Sequence, residues 1–326
     1  MRTNDVNHAA PTLGIDLGTS GVKALLLDGE QVIASSQAPL AVSRPRPGWS
    51  EQDPEDWWAA TCACLDELAA AHPKALRAVR AIGLAGQMHG ATLVGADGAV
   101  LRPCILWDDG RSAPQCAQLE AAAPGLRSIA GNVAMPGFTA PKLLWVRQHE
   151  PALFARTRHV LLPKAWLRWR LCGEAIDEMS DASGTLWLDV AKRRWSEPLL
   201  AACGLDPSQM PRLVEGTMPA GALRAPWVER WGFEHAPIIA GGAGDNAAGA
   251  VALGAVKAGD AFVSLGTSGV LWVTTAGHAP APERGVHAFC HAVPGGWHQM
   301  GVLLSAAASL AEGLACTSPG ATKSRL

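Results

Sequence analysis

The chain contains no tyrosine and only five phenylalanines, although it has thirteen tryptophans. Its eight cysteines are scattered without a Cys-x-x-Cys pair, which is typical of reduced, packed thiols. No apolar run is long enough to span a bilayer, and the polar first residues show no secretory signal. These absences predict a cytoplasmic protein that neither crosses nor inserts into a membrane.

Charge is also scarce. Only 17% of the residues are charged, and 27 basic against 29 acidic residues leave a net charge of −2. This balance gives no general reason to expect nucleic acid or an anionic membrane surface as a partner. Hydrophobic residues make up 48% of the 326 residues, enough to bury large cores and to build two domains.

One hexapeptide, Leu-Gly-Thr-Ser-Gly-Val, occurs twice, at residues 17–22 and 265–270. Each copy follows a short apolar run, which predicts a strand, a glycine turn and a second strand. Glycine permits positive φ and close approach, and successive N–H groups with two hydroxyls suit a phosphate. Two such turns suggest a polyphosphate held between related domains, although two ordinary hairpins remain the alternative. The predicted phosphate-binding residues are Gly18, Thr19, Ser20 and Gly21, and Gly266, Thr267, Ser268 and Gly269.

Asp16 directly precedes the first turn. A carboxylate beside phosphates repels them unless a cation intervenes, and Mg²⁺ is usually held by one or two carboxylates, waters and phosphate oxygens. We therefore expect Asp16 to bind a magnesium ion through a water molecule. Lys23, just beyond the turn, is expected to be a solvated strand residue.

Two further loops follow predicted strands, where open α/β sheets place their ligands. Residues 79–85 lead into Gln87, Met88 and His89, whose polar groups could bind hydroxyls or could serve only the turn. Residues 237–241 lead into a glycine-rich turn with Asp245 and Asn246, before a helix predicted from residue 247. Asp245 could cap that helix, or it could accept a proton from a hydroxyl that attacks phosphate.

The chain resembles the FGGY carbohydrate kinases, and among them the bacterial members that phosphorylate D-xylulose. The resemblance runs from about Leu13 to about Leu310, and the segments that carry it are residues 14–23, 86–90, 106–111, 137–145, 161–164, 180–185 and 244–249. It implies an α/β, actin-like fold of two ribonuclease-H-like domains, with ATP and sugar in the cleft between them.

Each family role is carried over by motif. Asp245 matches the catalytic base and Asp16 the essential magnesium-side aspartate. Met88, His89 and Asn246 match sugar-contacting positions, and Gln87, Trp107 and Asp108 join them as substrate-binding candidates. ATP and Mg²⁺ are the implied cofactors, and a homodimer is left open.

The resemblance also suggests a division of the chain. We expect a polar tail at residues 1–12, a complete sugar-binding domain at 13–257, the start of a nucleotide-binding domain at 258–310 and a divergent tail at 311–326. The family's later glycine-rich adenosine-binding motif is missing, so we expect exposed apolar surface on the second domain and little or no turnover from the 326 residues alone. Three interpretations follow: a D-xylulose kinase, a kinase for another ketose or polyol, and an inactive sugar-binding fragment.

Overall fold

The computed structural model describes residues 10–265 and 269–303. In chain order its strands are β1 Thr12–Leu17, β2 Gly21–Asp28, β3 Gln31–Pro39, β4 Glu51–Gln52, β5 Ala81–Gly86, β6 Thr92–Val94, β7 Cys104–Ile105, β8 His159–Leu161, β9 Ile176–Glu178, β10 Leu188–Asp189, β11 Arg194–Trp195, β12 Arg212–Val214, β13 Pro219–Ala222, β14 Ile238–Ala240, β15 Ala243–Gly244, β16 Ala261–Leu265, β17 Gly269–Thr275, β18 His287–Cys290 and β19 Trp297–Leu303. Its α-helices are α1 Pro54–Ala71, α2 Pro73–Arg77, α3 Ala113–Ala122, α4 Leu126–Ala130, α5 Thr139–His149, α6 Pro151–Arg156, α7 Pro163–Cys172, α8 Met179–Ser183, α9 Glu197–Cys203, α10 Ala225–Trp231 and α11 Asp245–Ala252.

The main sheet has seven strands in the order β13-β14-β5-β1-β2-β3, with β15 also paired to β5. Strands β1, β2 and β3 form an antiparallel meander, whereas β5 runs parallel to β1, β14 and β15. A parallel pair needs a crossover connection, and α1 lies on the first one. This mixed sheet confirms the predicted α/β fold class.

The two faces of β1 differ because side chains alternate along a strand. Leu13 and Ile15 are buried in the core beneath the sheet, whereas Gly14 and Asp16 point to the opposite face. The core side is covered by α1 and α7, which also contact each other. The opposite face of β1, β2 and β5 is left open toward a large cleft.

Helix α1 begins and ends where its sequence predicts. Asp53 is the N-cap and accepts a hydrogen bond from the Glu55 N–H at 3.0 Å, and Pro54 takes the first helical position. The buried stripe includes Trp57 and Leu65, so the helix packs one face onto β2 and β3.

The second hexapeptide lies in a different sheet from the first. Strands β16, β17, β19 and β18 form an antiparallel four-stranded sheet in that order. The β16–β17 pair is the predicted second hairpin, with Leu265 opposite Gly269. Its turn residues Gly266, Thr267 and Ser268 lie outside the described residues.

The four-stranded sheet shares a hydrophobic core with helices α3, α5 and α9. Trp272, Phe289 and Met300 belong to the same buried cluster as residues of α3, α5 and α9. The Ser183 hydroxyl at the end of α8 also accepts a hydrogen bond from the Cys290 N–H at 3.0 Å. The four-stranded sheet therefore contacts these helices directly and is not joined to them by chain connectivity alone.

The outer face of the second sheet is apolar and exposed. Val263, Leu265, Leu271 and Leu303 lie on that face by strand register, and each is more than half exposed. Contiguous apolar surface of this kind favours association. This agrees with the sequence-based expectation that the chain exposes apolar surface.

The turn that leads into α11 depends on glycine. Gly242 has φ of +72°, and a Cβ there would lie 2.0 Å from the Leu84 carbonyl oxygen. Gly254, just beyond α11, has almost the same φ of +73°, but a Cβ there would meet no atom within 4 Å. We expect Gly242→Ala to lower the free energy of unfolding by about 2 kcal/mol more than Gly254→Ala, because only Gly242 adds a backbone clash to the left-handed strain.

Urea unfolding of the two variants checks this expectation. Gly254→Ala controls for the backbone strain and is expected to cost about 1 kcal/mol. Equal losses in the two variants would contradict the packing argument.

Candidate functional site

The register of three parallel strands brings two of the predicted residues, Asp16 and Asp245, to one edge of the main sheet. Leu17 of β1 and Gly244 of β15 both lie opposite Gly86 at the end of β5. The residues at these carboxyl ends, Asp16 and Asp245, therefore reach the same place although they are far apart in sequence. Both line one cleft of about 1220 Å³, together with Lys23 and the glycine turn before α11.

Asp245 is the first residue of α11, so the helix begins two residues earlier than the sequence predicts. Gly244 takes the N-cap position with extended backbone angles, so Asp245 itself is not the cap. Its Oδ1 accepts hydrogen bonds from the Asn246 N–H at 2.7 Å and from the Asn246 side-chain amide at 3.0 Å. Both bonds go to one oxygen of the carboxylate, and Asp245 lines the cleft.

The pKa of Asp245 is raised to about 6. The carboxyl is open to the cleft, but the surrounding walls limit its hydration, and this desolvation is the largest cause of the shift. The hydrogen bonds from Asn246 lower the pKa, and the negative charge of nearby Asp16 raises it. A carboxyl with this pKa can take up and release a proton near neutral pH.

Asp16 has a raised pKa for the same main reason, desolvation, while Lys23 opposes the shift. Lys23 is the direct cross-strand partner of Asp16 in the β1–β2 pair. Two carboxylates that line one cleft form a site of concentrated negative charge. Their oxygen atoms suit a hard cation such as Mg²⁺, which prefers carboxylate and water ligands.

The first hexapeptide forms the predicted hairpin turn. The Gly18 N–H donates to the Gly21 carbonyl at 3.0 Å, and Thr19 and Ser20 form the tip. Neither glycine has positive φ, so that part of the expectation is wrong. Close packing is the reason for glycine instead: a Cβ on Gly21 would lie 2.7 Å from the Ala38 carbonyl oxygen.

The hydroxyl of Thr19 joins the turn to two other predicted site segments. The Trp107 indole N–H donates to Thr19 Oγ1 at 3.0 Å, and Thr19 Oγ1 donates to Gln87 Oε1 at 3.1 Å. Gln52 completes the network, since its amide donates to the Thr19 carbonyl at 2.7 Å and its Oε1 accepts from Gln87 at 3.1 Å. Sequence analysis missed Gln52, whose one signal is its position just before the α1 cap.

Met88 and His89 follow β5 with different surroundings. Met88 is buried, and a Cβ on Gly244 would lie 2.9 Å from its Cγ and Sδ atoms, so Met88 packs directly beside the Asp245 turn. His89 has φ of +69°, a strained angle for a histidine that often marks functional loops. Its Nδ1 hydrogen-bonds the Gly184 carbonyl at 2.8 Å.

A buried lysine, which sequence analysis gave no role, fixes the His89 backbone. Lys142 Nζ donates to the carbonyls of His89 at 3.0 Å and Gly137 at 2.8 Å. Burial lowers the pKa of Lys142 to about 7. The signal in the sequence was the basic residue amid the apolar segment at residues 137–145, but only the fold shows which carbonyls it holds.

The loop of Trp107 and Asp108 lies beside the same turn. The Trp107 side chain is 38% exposed, and Asp108 Oδ2 pairs with the Arg44 guanidinium at 3.0 Å. The other oxygen of Asp108, Oδ1, is buried without a hydrogen-bond partner in the described residues. The indole N–H of Trp107 is thus used within the protein, and the polar atom left without a partner in this loop is the buried Asp108 Oδ1.

A cluster of three acidic residues is buried in the core and does not line the cleft. Asp177, Glu178 and Asp181 are fully buried and close enough together to resemble a metal site. The Lys164 ammonium already lies 3.2, 3.3 and 3.3 Å from their oxygen atoms. It occupies the central position that a cation would take, so the group is an internal ion cluster.

Within residues 10–265 and 269–303, none of the helices combines the length and apolar character that a bilayer crossing requires.

Known proteins resemble this chain over most of its length. Residues 12–252 match the N-terminal domain of the FGGY family of carbohydrate kinases. The chain is 55% identical over 299 residues to the xylulose kinase of Escherichia coli (strain K12), which covers 91% of this chain and 61% of that relative. The chain therefore spans less than two thirds of the relative's length.

Solved structures agree with this similarity. A xyloylose kinase from Brucella ovis superposes with a TM-score of 0.92 at 56% identity, over 94% of this chain and 63% of that one. A xylulose kinase from Rhodospirillum rubrum gives a TM-score of 0.91 at 28% identity, over 95% of this chain and 64% of that one. The fold of the described residues is thus that of the sugar kinases.

Burial lowers the pKa of His89 from 6.5 to about 3, which links this loop to acid stability. Between these two values the unfolded chain binds a proton that the folded chain does not, so the free energy of unfolding falls as pH drops below 6.5. The slope for one such histidine is about 1.4 kcal/mol per pH unit. We expect His89→Asn, which tolerates positive φ, to reduce the stability lost between pH 7 and pH 5 by about 2 kcal/mol.

Urea unfolding at the two pH values measures this difference. His149→Asn is the control, because His149 is an exposed residue at the end of α5. If both variants lose stability on acidification as the parent chain does, burial of His89 is not the cause.

Proposed function

The chain belongs to the FGGY family of carbohydrate kinases. We propose that the protein transfers the γ-phosphoryl group of ATP to D-xylulose. The products are ADP and D-xylulose 5-phosphate. The observation that carries the choice of sugar is the 55% identity, over 91% of this chain, to a relative named xylulose kinase. The joint position of Asp16 and Asp245 in one cleft, beside strands β1 and β2 of the first hairpin, supports the reaction class.

Asp245 is proposed as the general base. The attacking sugar hydroxyl forms a bond to the γ-phosphorus while its proton passes to the Asp245 carboxylate, and the bond from phosphorus to the ADP oxygen breaks. A pKa of about 6 leaves the group mostly ionised at pH 7 and basic enough to accept the proton. Asn246 orients the carboxylate through the two hydrogen bonds to Oδ1.

Asp16 is proposed to hold Mg²⁺ through water. The fit rests on its oxygen donor, its position at the cleft edge and the charge repulsion with Asp245 that a cation would relieve. When bound, Mg²⁺ supplies charge neutralisation for the phosphates of ATP. This chain's own residues place the carboxylate there, since β1 ends beside β5 and holds Asp16 opposite Lys23.

The hairpin turns are proposed to bind the phosphates of ATP. In the first turn, Ser20 is exposed at the tip, while the Thr19 hydroxyl is tied to Trp107 and Gln87. The second turn, Gly266 to Gly269, is proposed for the same role on the strength of its identical sequence. The division into a sugar-binding domain at 13–257 and a nucleotide-binding domain from 258 is likewise a proposal, supported by the two separate sheets.

The sugar is proposed to lie between the β5 loop and the start of α11. Met88 offers an apolar surface next to the proposed base. Gln87 and His89 beside it, and Asn246 in α11, are proposed to supply polar groups to the sugar. Trp107 and Asp108 lie on the adjacent loop, which the Trp107 indole joins to the first hairpin turn, and are proposed to border the sugar.

Sugar binding tests the substrate directly. We expect isothermal titration of the 326-residue chain to detect D-xylulose binding, with D-ribulose, xylitol and glycerol at least about tenfold weaker, because hydrogen-bonding sites discriminate missing or misplaced hydroxyls. Tighter binding of one of the other three would replace D-xylulose as the substrate. A folded chain that binds none of them would overturn the proposal.

Asp245→Asn tests the base. It keeps size and polarity, so we expect D-xylulose affinity within about twofold and phosphoryl transfer reduced by about 100-fold or more. Turnover is measured as ADP release in a chimera that continues this chain with the part of the E. coli relative outside the matched region. Asp66→Asn is the control, because Asp66 is a surface residue of α1 paired with Arg230.

The pH dependence follows from the same carboxyl. The base acts only when deprotonated, so kcat of the chimera should rise with pH through about 6 and level off above about 7. ADP release at saturating substrates, measured from about pH 5 to about pH 8, gives the profile. A flat profile across this range would be inconsistent with Asp245 as the base.

A further inference from the structure

We propose that Ser180 is a positioning residue for the reaction: its buried hydroxyl holds the Gly244 N–H and so fixes the start of α11 that carries Asp245. The inference rests on the proposed role of Asp245 as the base. It adds a residue outside the cleft, on α8, to the machinery that sets the base in place.

The direction of the hydrogen bonds defines the role of Ser180. Its one hydroxyl proton goes to Glu178 Oε1 at 2.8 Å, which leaves the oxygen to accept from the Gly244 N–H at 3.0 Å. Ser180 and Glu178 are completely buried. The Gly244 N–H thus depends on one side-chain oxygen rather than on water.

Glu178 is itself immobilised. It is the N-cap of α8, where its carboxylate accepts from the N–H groups of Ser180 at 2.7 Å and Asp181 at 2.9 Å. The Lys164 ammonium lies 3.3 Å from the same carboxylate. Ser180 therefore hydrogen-bonds to a group whose own position is set by α7, α8 and a buried charge.

The other end of the glycine turn is held from the same layer. The Arg168 guanidinium donates to the Gly241 carbonyl, and also to the Ile176 carbonyl at 2.8 Å. Arg168 is completely buried, like Lys164, and both belong to α7. Residues 241–244 are thus clamped at both ends by side chains from α7 and α8.

The turn has no spare room in which to relax. A Cβ on Gly242 would meet the Leu84 carbonyl oxygen at 2.0 Å, and one on Gly244 would meet Met88 at 2.9 Å. Because Asp245 is the residue after Gly244, the hydrogen bond to Ser180 sets the position of the carboxylate. A displacement of about 1 Å can cost about 100-fold in rate, so a bond one residue from the base matters to the reaction.

The chain offers a matched control in the same helix. Ser183 is also a completely buried serine of α8, but its hydroxyl donates to the Met179 carbonyl at 2.7 Å and accepts from the Cys290 N–H at 3.0 Å. Ser180→Ala and Ser183→Ala remove the same group from the same helix. Only Ser180→Ala removes the contact to Gly244.

Two readouts on the 326-residue chain decide the proposal. In Ser180→Ala we expect amide exchange at Gly244 to quicken by about tenfold and the carboxyl carbon-13 signal of Asp245 to shift, because the N–H loses its partner and the turn relaxes. In Ser183→Ala both should stay as in the parent chain. Ser180→Thr, which keeps the hydroxyl, should restore the parent values, and thermal unfolding of all variants shows whether they remain folded.

The outcomes separate this inference from the proposed function. Parent-like exchange and carboxyl signal in a folded Ser180→Ala, or equal changes in Ser183→Ala, would overturn the positioning role whatever the sugar. In the chimera, Ser180→Ala should lower kcat at least about tenfold and leave the D-xylulose KM within about twofold. A chimera inactive on D-xylulose would refute the proposed function, while the exchange and carboxyl readouts still decide the role of Ser180.

Discussion

The parallel pairing of β1 and β15 with the central strand β5 determines the location of the candidate site. This register sets Leu17, Gly86 and Gly244 side by side at one sheet edge. Asp16, the β5 loop and Asp245 then meet without any special arrangement of loops, because parallel strands end at a common edge. The antiparallel β1–β2 hairpin adds the turn proposed to bind phosphate at the same edge, so one sheet supplies both the charged residues and the turn.

A buried cluster of charged residues packs behind the glycine turn that precedes Asp245. Lys164 compensates three carboxylates of α8 and β9, and burial raises the pKa of Asp181 well above its ordinary value, despite the ammonium nearby. Partners of this kind are costly to remove because an unpaired buried charge is left behind. The cluster ties α7 to α8 and, through Ser180 and Arg168, both helices to the glycine turn. The turn that carries Asp245, the proposed base, is thus connected to the charged cluster in the core.

The open face of the main sheet gives the cleft its character. Alternation along β1 and β2 buries leucine and isoleucine on one side and presents Gly14, Asp16 and Lys23 on the other. The side chains at Gly83, Ala85 and along α11 are small, so they leave room in the cleft for a ligand to reach the carboxylates. Limited hydration then raises the pKa of both aspartates, which favours a cation and a proton acceptor in the same space.

The sequence by itself determined the local elements and the family. The repeated hexapeptide predicted both hairpin strand pairs, and Asp53 with Pro54 predicted the start of α1, because turns and caps depend on neighbouring residues. Family motifs predicted roles for Asp16 and Asp245, and these roles stay predictions. Only the tertiary structure decided how these residues are held. The use of the Thr19 hydroxyl by Trp107 and Gln87, the packing reason for Gly21 and the clamp of Ser180 and Arg168 on the glycine turn all join residues that are distant in the chain. Such contacts arise from the register of strands and the packing of helices, which no local pattern specifies.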